Sequence, residues 1–485
     1  MTWPQRAECA AALQAVDALL VATPDAPELR FRRAGLLASL GRTEAAQQDY
    51  LAVLAREPAH YGALNDLATL LHAGGFRSAA RRLYEEAALR HPANPAPHVN
   101  LANMLLEDGE FAAARRAYEA ALTLAPTQAE AHRGLAQALA ELGDDAAAAR
   151  HRELGFRGHA VTALPYRGAA QPVPLLLLVS ARRGNAPMQR FIDGARFGVL
   201  AVAAEFFDPD AALPPHCLIL NAIGDADRDA AALVAAAALV ARSAAPVINP
   251  PERVLITARD GNARRMTGIP GVTVPRIATL SRQALAGPDG IALLARAGLR
   301  FPVLLRSPGF HTGRYFVCVE HAAALPAAAS GLPGDMLAAI EFLDATGPDG
   351  GVRKYRVMMI NGVLYPLHLA IADQWKVHYF TAGMADHAAH RQEEEAFLTD
   401  MDRVLGIKAV TALERIRDRL GLDYAGIDFA LGPQGEVLFF EANATMAINP
   451  PPPGAIWDYR RAPTERVLAA CCRMLRERSD GDGAS

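Results

Sequence analysis

Residues 92–126 read PANPAPHVNLANMLLEDGEFAAARRAYEAALTLAP, and this stretch decides the fold of the first third of the chain. Its two outer prolines, Pro92 and Pro126, are 34 residues apart, and Pro24 and Pro58 continue the series upstream. Gly41, Gly75, Gly109 and Gly143 keep the same interval, as do Ala34, Ala68, Ala102 and Ala136, and Ala45, Ala79, Ala113 and Ala147. Tyr50, Tyr84 and Tyr118 form a shorter series in the same register. Several series aligned at one period mark an internal structural repeat. Each residue type has a task in it. Glycine ends the first helix of a pair, because it enters the left-handed region without penalty. The alanines sit where two helices approach closely, and the tyrosines fill the seam between pairs. Proline ends a unit because it cannot continue the helix before it. The spacing predicts helix pairs from about Glu28 to His151, after a lone helix from about Gln5 to Val21.

This pattern resembles the tetratricopeptide repeat. The resemblance implies an all-α solenoid over residues 1–155 with a groove for a peptide or protein partner. The first helix of each pair offers Asn65, His98, Asn100, Asn103 and Arg133, a polar set suited to a peptide backbone. Plain solvated surface explains each of them equally well.

Composition bounds the rest. The chain has 485 residues, 51% of them hydrophobic, which is ample for large cores and for about two to four domains. A net charge of −3 with both signs mixed argues against nucleic acid as the main partner. There is no run of 18 apolar residues, so no membrane span is expected. The first ten residues, MTWPQRAECA, lack the charged and apolar regions of a secretory leader. Cys9, Cys217, Cys318, Cys471 and Cys472 show no CxxC spacing, so reduced thiols in a cytoplasmic protein are the expectation. Only Lys354, Lys376 and Lys408 are lysine, against 46 arginines, which looks like a coding bias.

The pattern changes after the repeats. A linker is expected at 156–172, an α/β subdomain at 173–280, a second, larger domain at 281–478 and a disordered tail at 479–485. Pro174 followed by LLLLVS reads as a buried strand, CLILNAIGD as a strand ending in a loop, DAAALVAAAALVARS as a helix and PVIN as a further strand. The alternation predicts a Rossmann-like parallel sheet, with Asn221 and Asp225 beyond a strand end, where such sheets place ligands. FPVLLRSPGFHTGRYFVCVE reads as strand, loop, strand, with Gly309 and Gly313 in the loop and Arg306 at the end of the first strand. A glycine loop can close backbone N–H groups over phosphates while a cation neutralises them.

The strongest chemical signal is LDYAGIDFALGPQGEVLFFEANATMAINP, residues 422–450. IDFAL and EVLFFEAN flank the turn GPQG and predict a hairpin. A four-residue loop pairs Leu431 with Glu436 and Asp428 with Phe439. Alternation then puts Asp428, Glu441 and Asn443 on one face, and Phe429, Leu438 and Phe440 on the other. Two carboxylates and an amide oxygen suit a hard divalent cation such as Mg²⁺. A hairpin with a solvated polar face would show the same alternation.

From Pro174 to Arg478 the chain resembles the ATP-grasp superfamily, in particular its glutathione-synthetase-like and D-alanine–D-alanine-ligase-like members. GIDFAL…EVLFFEANAT is similar to the metal-binding strands of bacterial glutathione synthetase, which implies Asp428, Glu441 and Asn443 as Mg²⁺ ligands. FPVLLRSPGFHTG resembles the lysine-bearing strand and the flexible phosphate loop, which implies Arg306, Gly309 and Gly313 as nucleotide contacts. Ala338-Ala-Ile-Glu-Phe-Leu resembles the adenine-holding hinge, with Glu341 and Leu343. Arg356-Val-Met-Met-Ile-Asn-Gly resembles a stretch whose arginine lies at the reacting phosphate, so Arg356 and Arg306 are the implied catalytic cations. Arg259 falls where the D-alanine ligases carry a first nucleotide-binding lysine. Two features depart from the pattern. Arginine replaces both lysines, keeping charge and a phosphate-binding fork. Gly426 stands where D-alanine ligases have arginine, as in glutathione-synthetase-like members.

The whole is expected to be multidomain: a tetratricopeptide solenoid, a Rossmann-like subdomain and an α/β ATP-grasp fold. The resemblance implies an ATP- and Mg²⁺-dependent, ADP-forming ligase working through an acyl phosphate that an amine attacks, a thiol or hydroxyl being the alternative nucleophile, with the repeats recruiting a peptide or protein. A non-catalytic nucleotide-binding scaffold and an ATP-grasp kinase are the competing expectations. His368, Trp375, Lys376 and His378 match no family motif and lie where such enzymes carry substrate-facing loops. A neutral histidine there could serve as a base toward an attacking amine.

Overall fold

A computed structural model describes residues 3–182, 184–308, 313–377, 382–451 and 454–481. The chain divides into two compact units. The first comprises Met1–Leu175, Ala181–Arg183 and Asp193–Pro214; the second comprises Leu176–Ser180, Gly184–Ile192 and Pro215–Ser485.

The first unit is a helical repeat solenoid. A lone helix α1 (Trp3–Ala22) precedes the pairs α2 (Pro27–Ser39) and α3 (Thr43–Arg56), α4 (Tyr61–Ala73) and α5 (Arg77–Arg90), α6 (Pro95–Glu107) and α7 (Phe111–Leu124), and α8 (Ala129–Glu141) and α9 (Asp145–Phe156). The periodic glycines close the first helix of every pair in the expected way. Gly41, Gly75, Gly109 and Gly143 have φ of 78°, 83°, 78° and 84°. The residue after each glycine donates its N–H back across the helix end: Arg42 to Leu37, Phe76 to Leu71, Glu110 to Leu105 and Asp144 to Leu139, at 2.8–3.0 Å. This is the Schellman arrangement, which satisfies the orphan carbonyls of a helix terminus. Tyr50, Tyr84 and Tyr118 are buried in the seams, as are Ala34, Ala68, Ala102 and Ala136. In the second helices the tightest contact falls one residue later than expected. Ala46, Ala80, Ala114 and Ala148 are fully buried, while Ala45, Ala79 and Ala113 are half-buried.

The segment read as a linker carries strand β1 (Val161–Ala163). Ten residues beyond it begins β2 (Val173–Val179), then β3 (Phe197–Ala203), β4 (Leu218–Asn221) and β5 (Val247–Ile248). The parallel pairing expected within residues 173–280 is found between β4 and β5 in the second unit. The unexpected strand β1, from the segment read as a linker, pairs antiparallel with β3 in the first unit.

The second unit is mixed α/β with further sheets. It continues with β6 (Val272–Thr273), β7 (Ile277–Ser281), β8 (Val303–Arg306), β9 (Phe316–Val319), β10 (Met336–Glu341), β11 (Val352–Ile360), β12 (Val363–Ala372), β13 (Tyr424–Leu431) and β14 (Val437–Asn443). One sheet runs β7-β10-β8-β9, antiparallel throughout, over a core of Leu285, Leu294, Val303, Leu305 and Leu337. The other runs β12-β11-β13-β14-β6, antiparallel except for the last pair. The tail expected to be disordered from 479 is helical to Asp480, at the end of the helix Arg461–Asp480. No helix among the described residues is long and apolar enough to cross a membrane.

Candidate functional site

The site is built on β11, β13 and β14, and hairpin geometry aligns it. Gly432 N–H donates to Glu436 O at 2.8 Å, and Gly435, at φ 73°, donates to Gly432 O at 2.9 Å. The loop is therefore three residues closed by Gly432 and Glu436, a turn that calls for glycine in the left-handed position. Leu431 consequently pairs with Val437, one residue beyond the expected Glu436. The register shifts again between Asp428 and Phe429, so that Asp428 faces Glu441 and not the expected Phe439, and Gly426 faces Asn443. Phe440 is the extra residue of this bulge. Asp428, Glu441 and Asn443 thus share a face, as expected, but through a different pairing. The opposite face is corrected: Phe439, opposed to Phe429, is buried there, while Phe440 is half-buried and Leu438 pairs with Ala430.

Each carboxylate meets cations. Arg356, opposite Asp428 on β11, forks onto both its oxygens, Nε to Oδ1 at 2.6 Å and Nη2 to Oδ2 at 2.8 Å. Lys354, two residues earlier on the same strand and face, donates from Nζ to Oδ2 at 3.1 Å. Burial alone would push the Asp428 carboxyl up; Arg356 and then Lys354 reverse this and hold it far below the usual carboxylate range. Glu441 accepts from Arg259 Nη2 at 2.7 Å and from Asn443 Nδ2 at 3.0 Å. Burial also opposes its ionisation, and Arg259 again prevails, leaving its pKa lowered. Asn443 Oδ1 accepts from Thr445 N and Oγ1, so Asn443 turns its amide N–H toward Glu441.

Arg259 starts the helix Arg259–Met266, and its backbone N–H is shared by the two Asp227 oxygens at 3.2 Å each. One turn later Asn262, 2% exposed, donates to Ala442 O at 2.6 Å and so ties this helix to the strand between Glu441 and Asn443. The loop Gly224–Arg228 and the residues Arg259, Asn262, Glu441, Asn443 and Thr445 line one pocket. Gly224 is required there, because a Cβ would lie 2.8 Å from the Ala444 carbonyl carbon.

Arg306 ends β8 in the other sheet, its guanidinium 5.6 Å from the Phe316 ring. Burial, then repulsion from Arg259, pushes its pKa down to about 10, so it stays a cation at neutral pH. Trp375 packs edge-on against the same Phe316 at 5.3 Å, and Lys376 Nζ donates to Phe316 O at 3.1 Å. The Lys376 stem passes where a Cβ on Gly313 would stand, 2.7 Å away, and Gly313 has φ 72°. Gly309 and His378 lie outside the described residues. Glu341 ends β10 and accepts the Arg276 backbone N–H at 3.0 Å, while Leu343, half-buried, follows two residues beyond the strand. His368 pairs with Arg356 across β11 and β12 and is buried. Burial first, and Arg356 next, hold its pKa well below the ordinary 6.5, so it is neutral.

The structure therefore joins Asp428 to Arg356, and Glu441 to Arg259 and Asn443, with the two carboxylates opposed on neighbouring strands. Sequence reasoning missed Lys354, Asp227 and Asn262. Lys354 carried a signal, being two residues from Arg356 on a strand and one of three lysines among 46 arginines. Among the described residues no group of three or more His, Cys, Asp or Glu is placed to hold a metal. The candidate set is instead two opposed, ionised carboxylates with an amide beside them, hard oxygen donors of the kind Mg²⁺ takes. The residues present fit that ion, with the amide oxygen of Asn443 as a ligand only if it gives up Thr445.

Of the groove candidates in the first unit, Asn65 and Asn100 bond to each other, and Asn103 bonds to Tyr118 and Glu130. Asn100 Nδ2 donates to Asn65 Oδ1 at 2.9 Å, Tyr118 Oη to Asn103 Oδ1 at 2.5 Å and Asn103 Nδ2 to Glu130 at 3.2 Å. Arg133 lies 5.4 Å from the Phe156 ring, and burial lowers the pKa of His98.

No curated protein sequence matches the chain. Among solved structures, a MamA protein is similar at 16% identity, covering 32% of this chain and 84% of that one, with a TM-score of 0.29. A MamA fragment from Desulfovibrio magneticus RS-1 is similar at 22% identity, covering 30% and 83%, with a TM-score of 0.28. The family model for the TPR repeat matches residues 102–143, the end of α6 through α8, and this part of the chain is a tetratricopeptide repeat.

Proposed function

We propose that the second unit is an ATP-grasp domain acting as an ATP- and Mg²⁺-dependent, ADP-forming carboxylate–amine ligase, with the repeats recruiting a peptide or protein substrate. The observation that carries this is the opposition of Asp428 and Glu441, each held by arginine, on one face of a hairpin. The antiparallel sheet β7-β10-β8-β9 beside the strands of the site supports it, since it supplies Arg306 and Glu341. Tetratricopeptide repeats suggest protein–protein interaction.

In this scheme the substrate carboxylate oxygen attacks the γ-phosphorus of ATP, and ADP leaves. The amine nitrogen then attacks the acyl phosphate carbon, inorganic phosphate leaves and the nitrogen loses a proton. Arg306, Arg259 and Arg356 bind and orient the phosphates and offset charge growing on the transferred group. Mg²⁺, held by Asp428 and Glu441 with the Asn443 amide, supplies further charge neutralisation when bound. His368, neutral and buried beside Arg356, adds no positive charge.

The test is ADP release by the full chain with ATP, Mg²⁺ and a panel of carboxylic acids and amines. ADP formation that needs both an acid and an amine is expected. ADP formed with an alcohol alone, yielding a phosphate ester, would favour a kinase, and no nucleotide turnover or binding would favour a scaffold.

A further inference from the structure

The two carboxylates proposed to hold the metal are already neutralised from within the chain. A carboxylate offers about four lone-pair sites. Asp428 uses three bonds, two to Arg356 and one to Lys354. Glu441 has one oxygen on Arg259 and the other on Asn443. Asp227 bonds the backbone of the same Arg259. In this contact network the charges balance, with Asp227, Asp428 and Glu441 against Arg259, Lys354 and Arg356. A divalent cation approaching alone meets no net attraction and must displace two ammonium or guanidinium groups into water.

The cations differ in how firmly they are held. Arg356 makes a two-point fork with a nearly buried carboxylate and is fixed by its strand. Lys354 makes one bond from a flexible four-carbon stem, and Arg259 makes one bond to a carboxylate that is 31% exposed. These two can leave without unfolding the hairpin. They need an anion to leave for, and a polyphosphate supplies one that guanidinium and ammonium groups bind well.

We propose that Lys354 and Arg259 are placeholder cations on Asp428 and Glu441, so that a divalent cation gains these carboxylates only together with a polyphosphate that takes the two side chains over. The proposal rests on the second unit being a nucleotide site. It makes metal and ATP binding strongly coupled, and it assigns Lys354 a positioning role that no family resemblance implied. The coupling is reciprocal: each ligand raises the affinity for the other by the same factor.

The experiment titrates Mn²⁺ into the full chain, reading free Mn²⁺ by electron paramagnetic resonance, with and without a non-hydrolysable ATP analogue. Wild type should bind Mn²⁺ at least about tenfold more tightly with the analogue than without it. Lys354→Met should bind Mn²⁺ measurably without nucleotide and lose most of that coupling. Lys354→Arg, which keeps a cation on Asp428, should behave like wild type and controls for folding. Equal Mn²⁺ affinity with and without nucleotide in wild type overturns the placeholder role, as does unchanged coupling in Lys354→Met. Absence of Mn²⁺ binding even with nucleotide would instead overturn the metal–nucleotide reading itself.

Discussion

Asp428 and Glu441 sit directly opposite one another across β13 and β14, and they do so because Phe440 is bulged out of the pairing. Without the bulge the three-residue loop would put Glu441 opposite Ile427 and turn it to the other face of the sheet. The bulge therefore brings the second carboxylate, with Arg259, to the face where Arg356 and Lys354 already hold Asp428.

Arg306→Ala should weaken ATP binding by about tenfold to a hundredfold, the loss expected for one charge-assisted contact. Arg306→Lys should recover most of it, since a lysine keeps the charge. Isothermal titration with ATP checks this. A lysine variant as poor as alanine would make the guanidinium's packing on Phe316 the important contact.

Stability of the second unit should fall with acid through His368. Its folded pKa lies well below the ordinary 6.5, so the unfolded chain takes up the proton first. The contribution is constant above about pH 6.5 and is lost as pH drops below it. His368→Gln should flatten the acid limb of a plot of Tm against pH. His98 and His151 have the same sign of shift in the first unit, so the difference between variant and wild type is the quantity to compare. An unchanged acid limb would show that His368 is protonated in the fold.

Gly109→Ala should destabilise the solenoid by about 1–2 kcal/mol, because φ there is 78° and an L side chain is strained in that region. Calorimetry should show the lower-temperature shift in the transition of the first unit alone. A shift in both transitions would mean that the two units unfold together.

The repeats were legible because one local rule governs them: a glycine at a fixed interval forces the Schellman end, whatever packs nearby. The hairpin was legible in its ligand face but not in its pairing. Loop closure at Gly432–Glu436 and the bulge at Phe440 each move the register by one in the same sense, so the partner of Asp428 moves by two, from Phe439 to Glu441, and the ligand face is kept because side chains alternate. Phe439 lies between the two and is moved by one only, so it changes face and takes the core place expected for Phe440. The partners of the carboxylates were half legible. Arg356 and Arg259 came with the family resemblance, whereas Lys354 and Asp227 matter only through neighbours 74 and 32 residues away in sequence. Strand β1 was missed because three residues, Val161–Ala163, carry too little alternation to mark a strand in a segment read as a linker, whereas the parallel pair β4 and β5 followed from the longer alternation.

Glu441→Gln tests the central claim most directly. It keeps the shape of the side chain and an oxygen for Arg259, and removes one of the two ligand charges. Calorimetric titration of ATP with and without Mg²⁺, beside the ADP-release assay, should show wild type gaining affinity from Mg²⁺. The variant should lose that gain and fall to background turnover while keeping its fold by circular dichroism. Full turnover and an undiminished Mg²⁺ effect in Glu441→Gln would contradict the assignment of this hairpin as the metal and nucleotide site.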